Sequence, residues 1–375
     1  MVRLMHNMQV TPEFNKARVH VFENGTLELD NGVLREHRPE DFMTWAHTFA
    51  YDPNATCPTY DGFLTQVADG QPSRVEWLDD LAAYVLYEDC RFEKAFFLIG
   101  DGANGKGVFL KTLEALFTSS NTRANSQSVT HIQPCDFEKP TERILLEGSM
   151  LNIGHDIKPN LKDAESYIKS ISSGDTITGN HKFYDSHSFS PRAKLVCSSN
   201  HMIKVYDDSF GMRRRLTFCN FVACFEDKAD TSLGQRLKAE LPGIFNRTLR
   251  AYQALREREK TLGKKALRES CDQNAYLTEF TEIANPVAAF WAEQGELLLA
   301  LHEVKKAEVF DMYRTFCERN GLFAGRENAF HGNLQKVLQN EGISCHEEQR
   351  RKNNARPRYY ILRKFKQLED FTEED

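Results

Sequence analysis

A glycine-rich octapeptide with a lysine near its end is the strongest chemical signal in this sequence. It reads Gly100-Asp101-Gly102-Ala103-Asn104-Gly105-Lys106-Gly107, fits the spacing GxxxxGK, and is followed by Val108. Glycines at this spacing let successive backbone N–H groups turn inward around phosphate oxygens, and the lysine adds a mobile charge for the β- and γ-phosphates. The octapeptide predicts an ATP-binding phosphate loop, and a glycine-rich turn without a ligand is the alternative.

The residue after the lysine departs from the usual pattern. Gly107 stands where a serine or threonine normally offers its hydroxyl to Mg²⁺. Water can take that coordination position, because Mg²⁺ keeps several water ligands in proteins. We therefore expect ATP hydrolysis with Mg²⁺ as cofactor, and weakened hydrolysis is the alternative.

Two polar residues follow apolar runs further along the chain. Asp156 comes shortly after the run 150–154, and Asn200 follows the run 194–199. A carboxylate at the end of a strand that faces the phosphate loop can hold Mg²⁺ through water, and a polar amide there can orient the attacking water. We predict these two roles for Asp156 and Asn200, while a cap or a turn is the alternative for each.

Three adjacent arginines, Arg213, Arg214 and Arg215, precede the apolar run 216–221. Three such residues are costly to bury, so they should face anions or acids. Arg214 or Arg215 is predicted as an arginine finger that reaches the ATP of a neighbouring subunit. The alternative is a surface patch of salt bridges.

The segment 174–187 has the pattern of a hairpin that carries basic and aromatic residues. His181, Lys182 and His187 are its candidate nucleic-acid contacts. A projecting loop of this kind can hold a single strand by phosphate contact and base stacking. A purely structural hairpin is the alternative.

The elements that must position these residues alternate between strand and helix. Apolar patterns predict strands at 95–99, 149–154 and 193–199, and helices at 75–90, 106–117 and 162–173. They also predict a hairpin at 19–34, a short helix followed by loops at 41–72, helical structure over 231–284, and a terminal hairpin around Tyr359-Tyr360-Ile361. Because an uninterrupted apolar run that feeds a glycine loop is typical of a buried parallel strand, the fold class is predicted to be α/β.

Composition limits the class of protein further. The 375 residues can form two or three domains, and the nine cysteines stand singly, so we interpret them as reduced thiols rather than disulfides or metal ligands. No run of about 18 uncharged apolar residues occurs, and the start lacks the apolar stretch of a signal peptide. The sequence therefore predicts no membrane span and a cytoplasmic location.

Charge is unevenly distributed near the C-terminus, although the net charge of -6 does not itself indicate nucleic acid. A basic segment between Gly342 and Lys366 includes Arg350, Arg351 and Lys352, and an acidic tail follows at 367–375. This pattern favours a module that contacts DNA, with a solvated charged face as the alternative.

The ordered motifs resemble those of the superfamily 3 helicases, and most closely the poxvirus D5-like and P4 phage primase-helicases. The resemblance rests on the phosphate loop, Asp156, the stretch 168–175, Asn200 and Arg214-Arg215-Leu216. The upstream segments 24–29, 37–41 and 51–53 also resemble the region that precedes the motor in phage proteins. It implies an N-terminal D5-type region at 1–92, an AAA+-like P-loop ATPase core at 93–228, a helical connector at 229–285 and a winged-helix-like module at 286–375.

The same resemblance implies a homohexameric ring with ATP at the subunit interfaces and travel from 3′ to 5′. Lys106, Asp156 and Asn200 would act from one subunit, and Arg214 or Arg215 from the next. The hairpin at Lys182 would line the pore and contact single-stranded or forked DNA. His155 stands where related motors often carry a second acid, which leaves the catalytic base open.

The expected function is therefore an ATP-dependent DNA helicase for the replication of a phage or plasmid-like element in a bacterial host. An ATP-binding replication initiator or loader with weak unwinding is the first alternative, favoured by Gly107 and His155. A small-molecule kinase is the second, disfavoured by the arginines and the basic C-terminal segment. Many relatives carry a primase domain, and no zinc-finger or paired-acid primase motif occurs in this sequence. We expect either a stand-alone motor or the C-terminal piece of a primase-helicase.

Overall fold

The computed structural model describes residues 14–15, 18–121, 127–205, 207, 209–226, 230–350 and 357–364. The chain forms two compact units, of which the first ends at Leu277 and the second begins at Thr278. This division falls ahead of Asn285-Pro286, where the Asn285 side chain caps the helix that begins at Pro286. The division into four regions stays a prediction.

The first unit contains strands and helices in alternation. Its strands are β1 (Val19–Phe22), β2 (Gly25–Glu28), β3 (Leu34–Arg35), β4 (Ala95–Ile99), β5 (Val129–Thr130), β6 (Leu151–Gly154), β7 (Ile177–Gly179), β8 (His187–Phe189), β9 (Lys194–Ser199) and β10 (Leu216–Asn220). Its α-helices are α1 (Pro58–Val67), α2 (Pro72–Val85), α3 (Lys106–Phe117), α4 (Pro140–Arg143), α5 (Glu165–Ser173), α6 (Phe210–Arg213), α7 (Leu233–Ala239), α8 (Leu241–Leu262) and α9 (Gln273–Ala284), the last of which crosses the division. Single 3₁₀ turns lie at Pro39–Asp41, Pro134–Asp136, Ile144–Leu146, Lys162–Ala164 and Gly263–Lys265.

A five-stranded parallel sheet in the order β10-β4-β9-β6-β5 forms the centre of this unit. All residues of β4, β6 and β9 are buried, as a parallel sheet covered on both faces requires. The α/β class is thus confirmed. Because β9 lies between β4 and β6, the segments that follow these three strands meet at one edge of the sheet, where α/β proteins bind ligands.

The predicted N-terminal hairpin is confirmed, since β1, β2 and β3 form an antiparallel sheet. The predicted loops after residue 41 are only partly correct, because α1 occupies Pro58–Val67. Proline fits the first turn of a helix, where its missing N–H would have no helical partner, so Pro58 begins α1 rather than excluding it. Pro72 begins α2 in the same way, and this helix ends at Val85, before the predicted end.

The predicted helical stretch 231–284 is interrupted between α8 and α9. Ser270 lies in this break and Gln273 begins α9, and their side chains bond the backbone of β10: Ser270 Oγ donates to the Phe218 carbonyl, and Gln273 Oε1 accepts from the Phe218 N–H at 2.8 Å. The break therefore satisfies polar groups along the outer strand of the central sheet, which a continuous helix would leave unpaired.

The second unit has its own apolar core. Its elements are α10 (Pro286–Leu301), β11 (Glu303–Lys305), α11 (Lys306–Arg319), α12 (Glu327–Asn340), β12 (Ile343–Gln349) and β13 (Arg358–Lys364). The strands form an antiparallel sheet in the order β11-β13-β12, which confirms the predicted terminal hairpin. Phe290, Tyr313 and Phe330 pack in its core, with the Tyr313 and Phe330 rings stacked 4.3 Å apart.

Helices long and apolar enough to cross a lipid bilayer do not occur among the described residues.

Candidate functional site

The glycine-rich segment forms a tight turn between β4 and α3. Gly100 and Gly105 have φ angles of 147° and 89°, which favour glycine. A Cβ at Gly100 would lie 2.4 Å from the Phe221 carbonyl oxygen, and one at Gly105 would lie 2.6 Å from Val67 Cγ1. The N–H groups from Gly102 to Gly105 donate no backbone hydrogen bond to the described part of the chain. This geometry suits the cradling of an anion at the N-terminus of α3.

Lys106 begins α3, and its ammonium group is folded back over the loop. The Nζ atom donates to the carbonyl oxygens of Gly100 and Asp101, and to the side-chain oxygens of Asn104 and Asn200, both at 3.2 Å. Only 6% of the lysine surface is exposed. A bound phosphate would compete with these oxygens for the ammonium group.

Asp156 and Asn200 lie at the same edge of the sheet as Lys106. Burial lowers the pKa of Lys106, and the nearby negative charge of Asp156 opposes that effect. Asp156 is exposed, with a φ angle of 44°, and its N–H donates to Ser198 Oγ at 3.0 Å. That hydrogen bond ties the end of β6 to β9, so the carboxylate is held near the loop.

His155, directly before Asp156, is half-buried beside His131, with the two rings stacked 5.6 Å apart. Burial lowers the pKa of His155, and the neighbouring imidazole of His131 adds to that effect. The imidazole is therefore neutral at pH 7 and able to accept a proton.

A pocket of about 490 Å³ opens beside the glycine-rich turn. Its lining includes the apolar side chains of Phe63, Val108, Phe225 and Leu233 and the polar side chains of Thr59 and Gln66. The Phe225 N–H donates to the Ala103 carbonyl at 2.8 Å, which holds this wall against the turn. The volume and the mixed lining suit a small planar ring system.

The donors at this edge fit a magnesium ion carried by a nucleotide. The carboxylate of Asp156 makes no ion pair with any residue that the structure describes. Gly107 is exposed and itself offers no hydroxyl, and nothing lies within 4 Å of a Cβ built on it, so the space there is open. One carboxylate, water and phosphate oxygens together form the oxygen ligand set that Mg²⁺ prefers.

The three arginines lie at the opposite edge of the sheet, since they precede β10, which runs parallel to β4. Five strand residues, or roughly 16 Å, separate them from the level of the glycine-rich turn. Arg214 and Arg215 pair with Glu93, Arg215 at 3.0 Å. Arg213 is exposed, and among the described residues it has no ion-pair partner. The turn and the arginines of one copy therefore do not meet.

The segment 174–187 forms the predicted hairpin, in which β7 and β8 pair antiparallel. At its tip Phe183 and Tyr184 are 91% and 75% exposed, and Lys182 Nζ lies 5.2 Å from the centre of the Phe183 ring. The tip therefore presents one positive charge beside two aromatic rings.

The two histidines of the hairpin differ in their surroundings. His187 is exposed and its Nε2 atom lies 3.1 Å from the Glu147 carboxylate. His181 is half-buried. Lys182 is exposed and, among the described residues, has no ion-pair partner.

The basic residues of the second unit are only partly described. Arg350 pairs with Glu303 at 2.7 Å and Glu348 at 2.8 Å, and its guanidinium lies 5.6 Å from the Tyr359 ring centre. Arg351, Lys352 and the acidic tail lie outside the described residues.

Two families match this sequence. Residues 1–69 match the family described as D5 N terminal like, and residues 98–215 match a family described as one of unknown function, DUF5906. The second match spans the glycine-rich turn, the hairpin and the arginines. The first lies in the region predicted as the D5-type domain.

Relatives of two origins match the chain. A helicase-named protein of Acanthamoeba polyphaga mimivirus, L207/L206, is 24% identical over 225 residues, which are 54% of this chain and 22% of that protein. The chain thus spans about a fifth of that relative. An uncharacterized mitochondrial protein of Marchantia polymorpha, ymf21, is 22% identical over 133 residues, which are 32% of this chain and 74% of that protein.

The fold is shared with the C-terminal region of NrS-1 in its apo form. The superposition has a TM-score of 0.55 at 12% identity and covers 83% of this chain and 77% of that one. With the D5-type match and the helicase-named viral relative, it confirms the resemblance to the D5-like primase-helicases.

Several residues at these sites were not among those predicted from sequence. Phe63 lies in α1, in a stretch predicted to be a loop, and Phe225 follows β10, so nothing local marks either as part of a pocket. Arg213 had a usable signal, since it belongs to the arginine triplet. Arg214 and Arg215 pair with Glu93 whereas Arg213 does not, and only the three-dimensional structure shows this difference.

Proposed function

We propose that this chain is the motor of an ATP-dependent DNA helicase that works as a homohexameric ring and moves from 3′ to 5′. One observation carries the proposal. Lys106 and Asn200 lie at one edge of the parallel sheet, while Arg213, Arg214 and Arg215 lie at the other. A phosphate site whose arginines are roughly 16 Å away is completed only by a second copy of the chain.

The nucleotide-binding residues follow from this placement. The turn from Gly100 to Gly107 holds the phosphates, and the pocket lined by Phe63 and Phe225 holds the base. Bound Mg²⁺ neutralises phosphate charge, and Asp156 is the residue that would hold it. Asn200 orients the attacking water.

The DNA-binding residues come from both units. The hairpin tip with Lys182, Phe183 and Tyr184 contacts a single strand in the ring pore, because exposed rings stack on bases and an ammonium group binds phosphate. The second unit has the element order α-β-α-α-β-β of a winged-helix-like module. In it, α12 enters a groove, and Arg350, with Arg351 and Lys352, contacts the backbone.

The similar proteins support a role in DNA replication. One of them is named as a helicase, and the N-terminal match is to the D5 type. A primase domain or primase protein is the proposed partner. A phage or plasmid-like element in a bacterial host remains a prediction, because the named relatives come from a virus of Acanthamoeba polyphaga and from Marchantia polymorpha.

The test measures ATP hydrolysis with and without single-stranded DNA, beside strand displacement on a forked duplex. We expect DNA to stimulate hydrolysis, and we expect the wild-type protein to load on the strand with the free 3′ tail and displace the complementary strand. Lys106→Ala should abolish both activities while circular dichroism shows a retained fold. ATP hydrolysis that equals wild type in Lys106→Ala would contradict the nucleotide site.

A replication initiator or loader is the second candidate. Gly107 leaves Mg²⁺ one hydroxyl ligand short, and His155 stands beside Asp156 where a second acid would assist hydrolysis. DNA-stimulated hydrolysis without strand displacement would favour this candidate. Hydrolysis that does not respond to DNA would instead favour a small-molecule kinase.

A further inference from the structure

We propose that Glu114, His131 and His155 form a binding site for a zinc-type divalent cation, separate from the Mg²⁺ of the nucleotide. The three potential ligand atoms lie within 4.8 Å of one another. Glu114 Oε1 and His131 Nε2 are already 3.1 Å apart. Ligand atoms around a tetrahedral zinc ion are roughly 3.4 Å apart, so small side-chain rotations suffice.

Three separate elements bring these residues together. Glu114 lies on α3, the helix that begins at Lys106. His131 directly follows β5, and His155 directly follows β6. Because β5 and β6 are parallel neighbours, with Thr130 opposite Asn152, the segments after them emerge side by side. The site is thus fixed by the core rather than by one loop.

Hydrogen bonds hold both histidine segments in place. The fully buried Asn152 side chain accepts from the Ile132 N–H at 2.9 Å and donates to the Ile132 carbonyl at 3.0 Å. The Gln133 amide donates to the His155 carbonyl at 3.0 Å. Preorganised backbone of this kind lowers the entropic cost of gathering ligands around a metal.

The donor set selects the type of cation. Two imidazole nitrogens and one carboxylate suit zinc and its transition-metal neighbours, whereas Mg²⁺ prefers oxygen ligands alone. Three protein ligands leave a fourth position for water. The side chains of Glu114 and His131 are 36% and 43% exposed, so an ion can enter from solvent.

Occupancy of this site would bear on the nucleotide edge, because His155 directly precedes Asp156. A bound ion would join α3 to the end of β6 and restrict the turn that carries the Asp156 carboxylate. The ion would thereby act on Asp156 as a positioning device and take no part in phosphate chemistry. The metal site itself does not depend on the helicase proposal, and its test uses neither nucleotide nor DNA.

The test is a zinc competition titration of the full chain against a chromogenic chelator, followed by Co²⁺ substitution. Wild type should take up one equivalent, and its Co²⁺ form should show the visible absorption of a four-coordinate ion. His131→Ala and Glu114→Gln should bind the ion about tenfold more weakly or worse. The matched control is His187→Ala, which removes a histidine that also lies 3.1 Å from a glutamate but has no third metal-ligating group beside it among the described residues. The His187→Ala variant should still bind one equivalent of zinc.

A second comparison addresses the thiols, because Cys135, Cys224 and Cys271 are exposed. A variant with all three changed to serine should bind zinc as wild type does. The proposal is overturned if wild type takes up no zinc at micromolar concentration. It is also overturned if His131→Ala binds as tightly as wild type, or if only the serine variant loses the ion.

Discussion

The ammonium group of Lys106 donates to the side-chain oxygen of Asn200 at 3.2 Å, although 94 residues of sequence separate them. The contact exists because β9 lies directly beside β4, so the residue after β9 meets the turn after β4. A phosphate group that draws Lys106 away from Asn200 would free the amide. We therefore expect the Asn200 side chain to respond directly when a phosphate group binds the loop.

We predict that Asn200→Ala lowers ATP hydrolysis about a hundredfold while ATP still binds. The amide orients water, but the glycine-rich turn and Lys106 supply the phosphate contacts. Fluorescent-nucleotide titration and steady-state hydrolysis separate the two properties. Loss of binding together with hydrolysis would show that Asn200 supports the loop instead.

We predict that Gly107→Ser lowers the Mg²⁺ concentration needed for half-maximal hydrolysis. Nothing lies within 4 Å of a Cβ at Gly107, so the serine fits and brings the missing hydroxyl to the ion. Gly107→Ala is the matched control, because it adds the Cβ without the hydroxyl. An equal shift in both variants would assign the effect to helix propensity.

We predict that Arg213→Ala binds ATP normally but loses hydrolysis, and regains part of it when mixed with Lys106→Ala protein. Each variant supplies the half-site that the other lacks. Unlike Arg213→Ala, the variants Arg214→Ala and Arg215→Ala should lower the thermal stability of the protein, since each leaves Glu93 with fewer ion-pair partners. If mixed assemblies are confirmed and none of the three arginine variants is rescued, the proposed subunit interface is incorrect.

We predict that Lys182→Ala weakens single-strand binding and uncouples hydrolysis from strand displacement. The salt dependence of binding should fall by about one unit per occupied site, because one phosphate contact is lost. Basal hydrolysis should remain, since the hairpin lies away from the glycine-rich turn. A variant with His181, Lys182 and His187 all changed to alanine is decisive. If that variant unwinds forked DNA as fast as wild type does, the hairpin has a structural role only.

We predict that the protein loses stability as the pH falls from 6.5 toward 5. His47 Nδ1 faces the Leu116 carbonyl at 2.8 Å, so that nitrogen carries the proton, and its Nε2 accepts from His20 at 2.8 Å. Burial lowers the pKa of His47 to about 4, and burial, His47 and Arg192 lower that of His20. Both rings are therefore neutral in the folded state.

The loss of stability at low pH follows from proton uptake by the unfolded chain. The unfolded chain protonates these histidines below about pH 6.5 while the folded chain does not, so acid favours unfolding. His47 alone contributes about 3 kcal/mol, which is lost between pH 6.5 and 4. Denaturant titrations at pH 7.5 and pH 5 measure the difference in the free energy of unfolding. Both pH values lie above the range in which most carboxyl groups titrate. Equal midpoints would contradict it.

The sequence alone predicts the local parts of this structure well. The limits of β4 and α3 agree with their patterns, because an apolar run and a glycine turn are determined by neighbouring residues. The whole of α1 was missed and predicted as loop, since Pro58 serves both as a helix breaker and as a first-turn residue. The strand order could not be predicted, because long-range pairing leaves no local trace.

The same distinction holds for the sites. Lys106, Asp156 and Asn200 were predicted from their motifs and order, and the structure brings them to one edge of the sheet. The group of Glu114, His131 and His155 has no such motif, because its members come from three elements and share no regular spacing. It becomes visible only when β5 and β6 are placed side by side.

The position of β9 has a mechanical consequence. This strand joins Asn200 at one end to the hairpin at the other over about 20 Å, and all six of its residues are buried between β4 and β6. At its hairpin end, Lys194 is anchored to the Tyr87 carbonyl at 2.6 Å. A strand bonded on both sides can neither lengthen nor slide without breaking both ladders. We therefore expect the hairpin and Asn200 to move together with the whole sheet rather than independently of each other.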